Sequence, residues 1–250
     1  MLAGNSASIR LHYHDSIDST NSEAQRLLSS GELPPFAVCA AIQSAGRGRQ
    51  GRIWQSVEGN LFYSLACQPA APLQVWPQLS FISAIAVCDV LREIMGGVHI
   101  QCKWPNDVLC NGKKIAGILL ETAQDKNDQP NLIVGIGVNV ISHPDQTSYP
   151  ATSIFTESKK TVGVKQLAEM LGDKLWFYAG RWQKDGFAQF RQAWLDQAAF
   201  KGQKITVSEA PGTPDGKLSG IFLDLREDGA LLLGLEENKV LPIFSGIVGI

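Results

Sequence analysis

No apolar run in this 250-residue chain approaches the roughly 18 residues that a membrane-spanning helix needs, and Met1 to His14 contains no apolar segment of the secretory type. Cysteine is scarce and unpatterned. Cys39, Cys67, Cys88, Cys102 and Cys110 are odd in number, mostly set in apolar runs, and nowhere spaced C-x-x-C. They read as small buried hydrophobes in a reducing, cytoplasmic compartment rather than as a disulfide framework. Histidine is equally sparse: His12 and His14 alternate on one strand-like stretch, His99 and His143 stand alone, and no H-x-x-x-H spacing offers a metal site. There is no G-x-S-x-G turn and no cysteine with a recognisable partner, which disfavours a covalent-nucleophile hydrolase. Charge of one sign is also lacking. A net charge of -2 and an isoelectric point near 6.1 argue against a surface built for bulk nucleic-acid or membrane attraction. Neither a repeat nor a low-complexity tract is present, and the length suits one large domain with, at most, a small appendage.

Against this background one stretch stands out. From Gln43 to Trp54, Gly46, Gly48 and Gly51 alternate with Arg47, Arg49 and Arg52, and no acidic residue intervenes. Such a segment cannot bury an apolar face. Ordering it costs about 1–2 kcal/mol per residue, most for glycine, so left alone it is expected to be mobile. Guanidinium forks pair best with carboxylate or phosphate, so the ligand that would offset the cost is an anion. The glycines formally satisfy G-x-G-x-x-G, but the context fails: the loop leads to Trp54 and another strand, and Glu58 is the only acid before Asp89. A P-loop is excluded because no Gly-Lys-Ser/Thr follows.

The surrounding pattern is α+β. Ile9 to Tyr13 alternates like a strand. Thr20 to Glu23 has capping-box spacing, Ala24, Leu27 and Leu28 form an apolar face, and Gly31 is placed to end that helix. Ser19, Thr20 and Asn21 thus fall at a helix N-terminus, where they serve as a cap or as part of an anion site. Strands are expected from Phe36 to Ile42 and Asn60 to Ala66, and Pro77 opens a long helix that Gly96-Gly97 stops. Ile100 to Lys103 leads to Trp104-Pro105-Asn106-Asp107, and Asn111-Gly112 is a strong hairpin signal into Lys113 to Glu121. Leu132 to Val140 follows, with Gly135 and Gly137 permitting close backbone approach. These hairpins favour an antiparallel or mixed sheet. His143 to Thr161 reads as irregular; Leu167 to Tyr178 and Phe187 to Trp194 as helices. From about Phe200 the texture becomes short strands: Lys204 to Val207, Leu218 to Leu225, Ala230 to Leu235, Lys239 to Ile243 and Ile247 to Ile250. They suggest a small β-barrel, dividing the chain into residues 1–199 and 200–250.

A second polar cluster joins Lys103, Asn106 and Asp107 to Lys113 and Lys114 across the hairpin. Asn106 and Asp107 could meet Mg²⁺ or a nucleotide, with a lysine stabilising developing charge. The plainer alternative is a turn cap, a core tryptophan and solvated lysines.

Asp18-Ser19-Thr20-Asn21, Gln43 through Trp54, Lys103 through Asp107, Lys114-Ile115-Ala116-Gly117-Ile118-Leu119-Leu120-Glu121 and Gly135-Ile136-Gly137-Val138-Asn139 resemble, in order, the signatures of biotin–protein ligases. The resemblance implies a class II synthetase-like mixed sheet packed with helices, followed by a Src-homology-3-like barrel. It implies biotin contacts at Ser19, Thr20, Asn21, Gln43, Arg47, Gly48, Arg49, Lys114, Gly117 and Leu119. It places Trp54, Asn106, Asp107 and Asn139 at ATP, with Mg²⁺ held mainly through the ATP phosphates, and makes Lys114, Arg47 and Arg49 the catalytic cations. The implied reaction forms biotinyl-5′-AMP and transfers biotin to a lysine of a biotin carboxyl carrier domain. The DNA-binding domain of bifunctional members is not found ahead of Asp18, so DNA binding and repression are not expected. A lipoate or octanoate ligase of the same fold, and a nucleic-acid module using the Arg/Gly loop, are the alternatives. A sheet edge could support a homodimer, though nothing in the sequence locates it.

Overall fold

The structure is a computed structural model that describes residues 9–147, 149–209 and 216–249. Its main sheet is built from β1 (Arg10–Ile17), β2 (Phe36–Gln43), β3 (Leu61–Cys67), β4 (Ile100–Lys103), β5 (Asp107–Cys110), β6 (Lys113–Gln124) and β7 (Pro130–Val138). The spatial order is β1-β2-β3-β7-β6-β5-β4; β1 and β2 run parallel and every other pair is antiparallel. This is the mixed sheet that the hairpin signals predict.

Strand parity explains why the two faces differ. Phe36 and Val38 pack with Ala24 and Leu28 of α1 (Thr20–Ser30), whereas Ala37, Cys39, Leu61, Tyr63 and Leu65 face the main core. That core face is covered by α2 (Gln78–Met95), and α4 (Val164–Asp185) and α5 (Ala188–Leu195) pack against α2 in turn. The other face carries only the short α1, so much of it is left for loops to cover. The candidate site lies there. Burial pushes the Cys39 and Cys110 thiols up to about 11 and that of Cys67 up to about 12, as suits cysteines that fill core.

A second, antiparallel sheet stands where the barrel is expected. It comprises β8 (Lys204–Ser208), β9 (Lys217–Leu225), β10 (Leu231–Gly234), β11 (Val240–Ile243) and β12 (Ile247–Gly249), in the order β11-β10-β9-β8-β12. Ile250, the last residue of the expected final strand, lies outside the described residues. Phe222, Leu225, Leu231 and Leu233 join the same apolar cluster as α2 and α5, with Trp194 between Phe81 and Phe222 at ring-centroid distances of 5.4 and 6.4 Å. Trp104 Nε1 donates to Gly229 O at 3.0 Å, and Gln78 Nε2 donates to Glu227 O at 2.8 Å. Gly229 is required twice over: its φ is +85°, and a Cβ there would lie 2.6 Å from Phe81. Trp104→Phe keeps most of the buried volume but orphans the Gly229 carbonyl, so chemical denaturation should show a loss of about 1–3 kcal/mol.

Two local expectations are corrected, and one strand holds an irregularity on which no expectation was placed. The capping box does not form: Ser19 is the N-cap, Thr20 N donates to Gln43 Oε1 at 2.8 Å, and Glu23 pairs with Arg26. A long-range acceptor has replaced the local one. The stretch from His143 to Thr161 is not wholly irregular; Ser153 caps a short helix α3 (Ile154–Ser158) by accepting from Thr156 N. The irregularity is in β6. Leu109 opposes Lys114 and Val108 opposes Ala116, so Ile115 is an extra residue in a bulge.

Candidate active site

The Arg/Gly stretch folds into a small hairpin rather than an open loop. Gly48 N donates to Arg52 O at 2.7 Å, Trp54 N donates to Gly46 O at 3.0 Å, and Arg47 bridges Ile53. Gln50 (φ +56°) and Gly51 (φ +73°) form its left-handed tip. A Cβ on Gly46 would come within 2.5 Å of Ser56 Oγ and 2.6 Å of Trp54 O, so the crossing of the two arms admits only glycine.

The hairpin is tied to α1 and β3 by a run of side-chain hydrogen bonds. Gln43 Oε1 accepts from Thr20 N and Oγ1, while its Nε2 donates to Ser56 Oγ at 3.0 Å. Ser64 Oγ lies 2.7 Å from Thr20 Oγ1 and 2.5 Å from Asn21 Oδ1. Asn21 Nδ2 donates to Glu121 Oε2 at 2.7 Å, and Glu121 receives Arg47 at 3.0 Å. Thr20 and Asn21 are both buried, so these bonds fix polar groups that would otherwise be costly to leave unpaired. The Arg47–Glu121 pair is partly exposed and contributes only about 0–1 kcal/mol, little enough for an anionic ligand to compete for the guanidinium.

The floor of the site is a patch of glycine. Gly117 pairs with Gly137 and Leu119 with Gly135 across β6 and β7. A Cβ at Gly135 would lie 2.3 Å from Asn21 Oδ1, and one at Gly137 would lie 2.3 Å from the Trp54 indole. The missing side chains therefore let α1 and the hairpin lie directly on the sheet. Because of the β6 bulge, Lys114 shares this face with Gly117, despite a separation of three residues that would put them on opposite faces of a regular strand. Lys114 Nζ sits 2.7 Å from Asp107 Oδ1 and 5.3 Å from the Trp54 ring centroid. Arg49 Nη1 donates to Asn106 Oδ1 at 3.3 Å, and burial lowers its pKa below the ordinary guanidinium value.

These groups border one cavity of about 330 Å³ that crosses the sheet from α1 to β4. A binding pocket with a small set of convergent cations is suited to holding an anion away from water.

The family model for the biotin/lipoate A/B protein ligases matches residues 13–139, and that span carries α1, the hairpin, the glycine floor and Lys114. The chain belongs to this family. It is 36% identical over 236 residues to a biotin–[acetyl-CoA-carboxylase] ligase of Paracoccus denitrificans, covering 90% of this chain and 95% of that one. It is 34% identical over 233 residues to the bifunctional ligase/repressor BirA of Bacillus subtilis, covering 91% of this chain and 70% of the relative. A solved structure of biotin protein ligase from Aquifex aeolicus in complex with biotin and ATP superposes with a TM-score of 0.81 at 28% identity, covering 96% and 97% of the two chains.

In this ligase-family chain, the residues that the resemblance assigned to biotin, ATP or catalysis all border the same cavity: Ser19, Thr20, Asn21, Gln43, Arg47, Gly48, Arg49, Trp54, Asn106, Asp107, Lys114, Gly117, Leu119 and Asn139. The plainer reading of the second cluster is half right. Trp104 does fill core, at 2% exposure, but Asp107 pairs with Lys114 and neither is freely solvated. Lys113, by contrast, points away to Glu157 at 3.2 Å. Asn139 is buried and donates to Thr152 O at 2.9 Å, which fastens the segment after β7 to the cavity wall.

Sequence reasoning missed Ser64 and Glu121 as the links between α1 and the hairpin, since long-range hydrogen bonds leave no periodic signal. It also missed Tyr149 and residues Gly246, Ile247 and Val248, which the second sheet brings to the cavity edge. Arg52 Nη2 reaches Glu209 Oε2 at 2.7 Å, joining the hairpin to that sheet. Among the described residues no group of three or more His, Cys, Asp or Glu could cage a metal, and Asp107 is the one carboxylate lining the cavity. This donor set fits a magnesium ion that arrives on ATP phosphates, with Asn106 and Asp107 as available oxygen donors.

Proposed function

We infer that the protein activates biotin with ATP as biotinyl-5′-AMP and transfers the biotinyl group to a lysine of a biotin carboxyl carrier domain. The observation that carries this reading is the convergence on one cavity of a buried polar end, a glycine floor and the cations Arg47, Arg49 and Lys114, the last paired with Asp107. The relatives' names, and the biotin and ATP in the superposed structure, support the choice of substrates.

In the first step a biotin carboxylate oxygen bonds to the α-phosphorus of ATP and the bond to the bridging β-phosphate oxygen breaks, releasing pyrophosphate. Both reactants are anions. Arg47, Arg49 and Lys114 relieve their repulsion, each charged hydrogen bond contributing about 1.5–3 kcal/mol. Ser19, Thr20, Asn21 and Gln43 would hold the biotin head at the α1 end, while Trp54, Asn106, Asp107 and Asn139 would meet the nucleotide. Bound magnesium would supply charge neutralisation at the phosphates. The hairpin covers the mixed anhydride from water until the carrier amine attacks its carbonyl and AMP leaves.

The five unpaired, buried cysteines favour a reducing, cytoplasmic setting, and no helix among the described residues is long and apolar enough to cross a membrane. Among the described residues β1 ends the main sheet with one unpaired edge, the natural place to seek a homodimer by light scattering.

The deciding experiment supplies ATP, Mg²⁺ and a carrier domain and offers biotin against lipoate and octanoate. Biotin transfer is expected; preferential lipoate transfer would overturn the assignment. A second check is Gly135→Ala, whose methyl would displace Asn21 and break its bonds to Ser64 and Glu121. Calorimetry should show biotin affinity reduced by about tenfold or more, in line with the loss of one or two buried hydrogen bonds.

A further inference from the structure

Lys103 closes β4, directly across from Asp107 on β5, and lines the far end of the cavity. It is only 2% exposed, yet among the described residues its ammonium makes no hydrogen bond and no close ion pair, and feels Asp107 only at longer range. Asp107, its nearest cross-strand acid, is engaged by Lys114 at 2.7 Å. What Lys103 has instead is the face of Tyr149, 3.5 Å from Nζ to the ring centroid. Tyr149 is held in place by donating through Oη to Gly112 O at 3.0 Å. A cation–π contact attracts the charge but satisfies none of the three N–H donors, so a buried ammonium facing a cavity in this way is an incomplete site.

Its place in the sheet says which anion completes it. The buried α1 end lies over β3 and β7, and Lys114 on β6 stands in the middle. β4 is three strands beyond β7, on the order of 14 Å at the usual strand spacing. The carboxylate and α-phosphate would meet at Lys114, so the group reaching β4 is whatever projects from the far side of the α-phosphorus.

We propose that Lys103 is the binding cation for the pyrophosphate half of ATP, taking over the negative charge as the α–β phosphoanhydride bond breaks. The electron pair of that bond leaves on the bridging oxygen, and the three ammonium donors of Lys103 stabilise the departing pyrophosphate without any proton transfer. The assignment rests on the biotin-activating reading above.

The test uses the full chain at pH 7, with inorganic pyrophosphate as the probe. Wild-type protein and Lys103→Met are compared for biotinyl-adenylate formation, for its inhibition by added pyrophosphate, and for the KM values of ATP and biotin. The variant should be inhibited about tenfold more weakly or worse, with KM for ATP raised and KM for biotin unchanged. Removing a buried charge should leave its unliganded melting temperature equal to or above that of the wild type, which excludes misfolding as the cause. Unaltered pyrophosphate inhibition would overturn the proposal, and so would a KM for biotin that rises as much as that for ATP. If the wild-type protein itself forms no biotinyl-adenylate, the functional reading fails first; if it does and only the variant behaves normally, Lys103 alone is wrongly assigned.

Discussion

Replacing Lys114 with alanine should slow biotinyl-adenylate formation by about 10²–10³-fold, the range seen when a preorganised charge-stabilising donor is removed, or about 2.7–4 kcal/mol of barrier. Two effects add. The carboxylate and the α-phosphate lose the cation placed between them, and Asp107, now without its partner at 2.7 Å, contributes a bare negative charge to a cavity that must accept two anions. The stability cost should be small by comparison, because Lys114 is only partly buried. Pyrophosphate release measured under single-turnover conditions checks the expectation. A variant that releases pyrophosphate at the wild-type rate would remove Lys114 from the chemical step.

Arg49→Gly should act on retention rather than on formation. Arg49 is half-buried beside the tip of the hairpin, donates to Asn106, and is desolvated enough for its pKa to fall, so its charge is worth more to a bound anion than that of an exposed arginine. Its loss should let activated biotin escape about 10–100-fold faster, the equivalent of one charged hydrogen bond. The melting temperature should change little, since the backbone bonds that close the hairpin run between Gly48, Arg52, Gly46 and Trp54. Rapid-quench release of labelled adenylate distinguishes the outcomes; escape at the wild-type rate would show that the hairpin is not the shield.

The two expectations depend on different levels of organisation. Arg49 was legible because its neighbours are. Arginine alternating with glycine, free of acids, between two apolar strands, has few physical uses other than gripping an anion. Lys114 was legible as a motif residue, but its orientation was not. A period-2 reading of β6 separates Lys114 from Gly117 and Leu119, and only the extra Ile115 returns it to their face. Lys103 shows a third case: it stood in a named cluster, but a lysine four residues before an aspartate gives no hint that it will be buried beneath a tyrosine from another segment.

Local signals also misled where distant partners offered better geometry. The Thr20-x-x-Glu23 spacing is a sound capping box, yet Gln43 arrives from β2 with a carbonyl that accepts both donors of Thr20. Hydrogen bonding at this helix end therefore reports the site rather than the helix.

The linear order of residues by itself determined the elements that repeat locally: the apolar periods of α2 and β2, the Asn111-Gly112 turn, the stop at Gly31 and the cationic character of the Arg/Gly stretch, though not its hairpin fold. Each depends on neighbours within a few positions, where sterics and hydrophobic period leave little choice. Tertiary structure alone decided that α1 covers only part of one sheet face, that three glycines open a floor there for Asn21 and Trp54, and that residues 246–248 come round to border it. Those outcomes follow from strand order and from packing between segments far apart in the sequence. No local pattern encodes them.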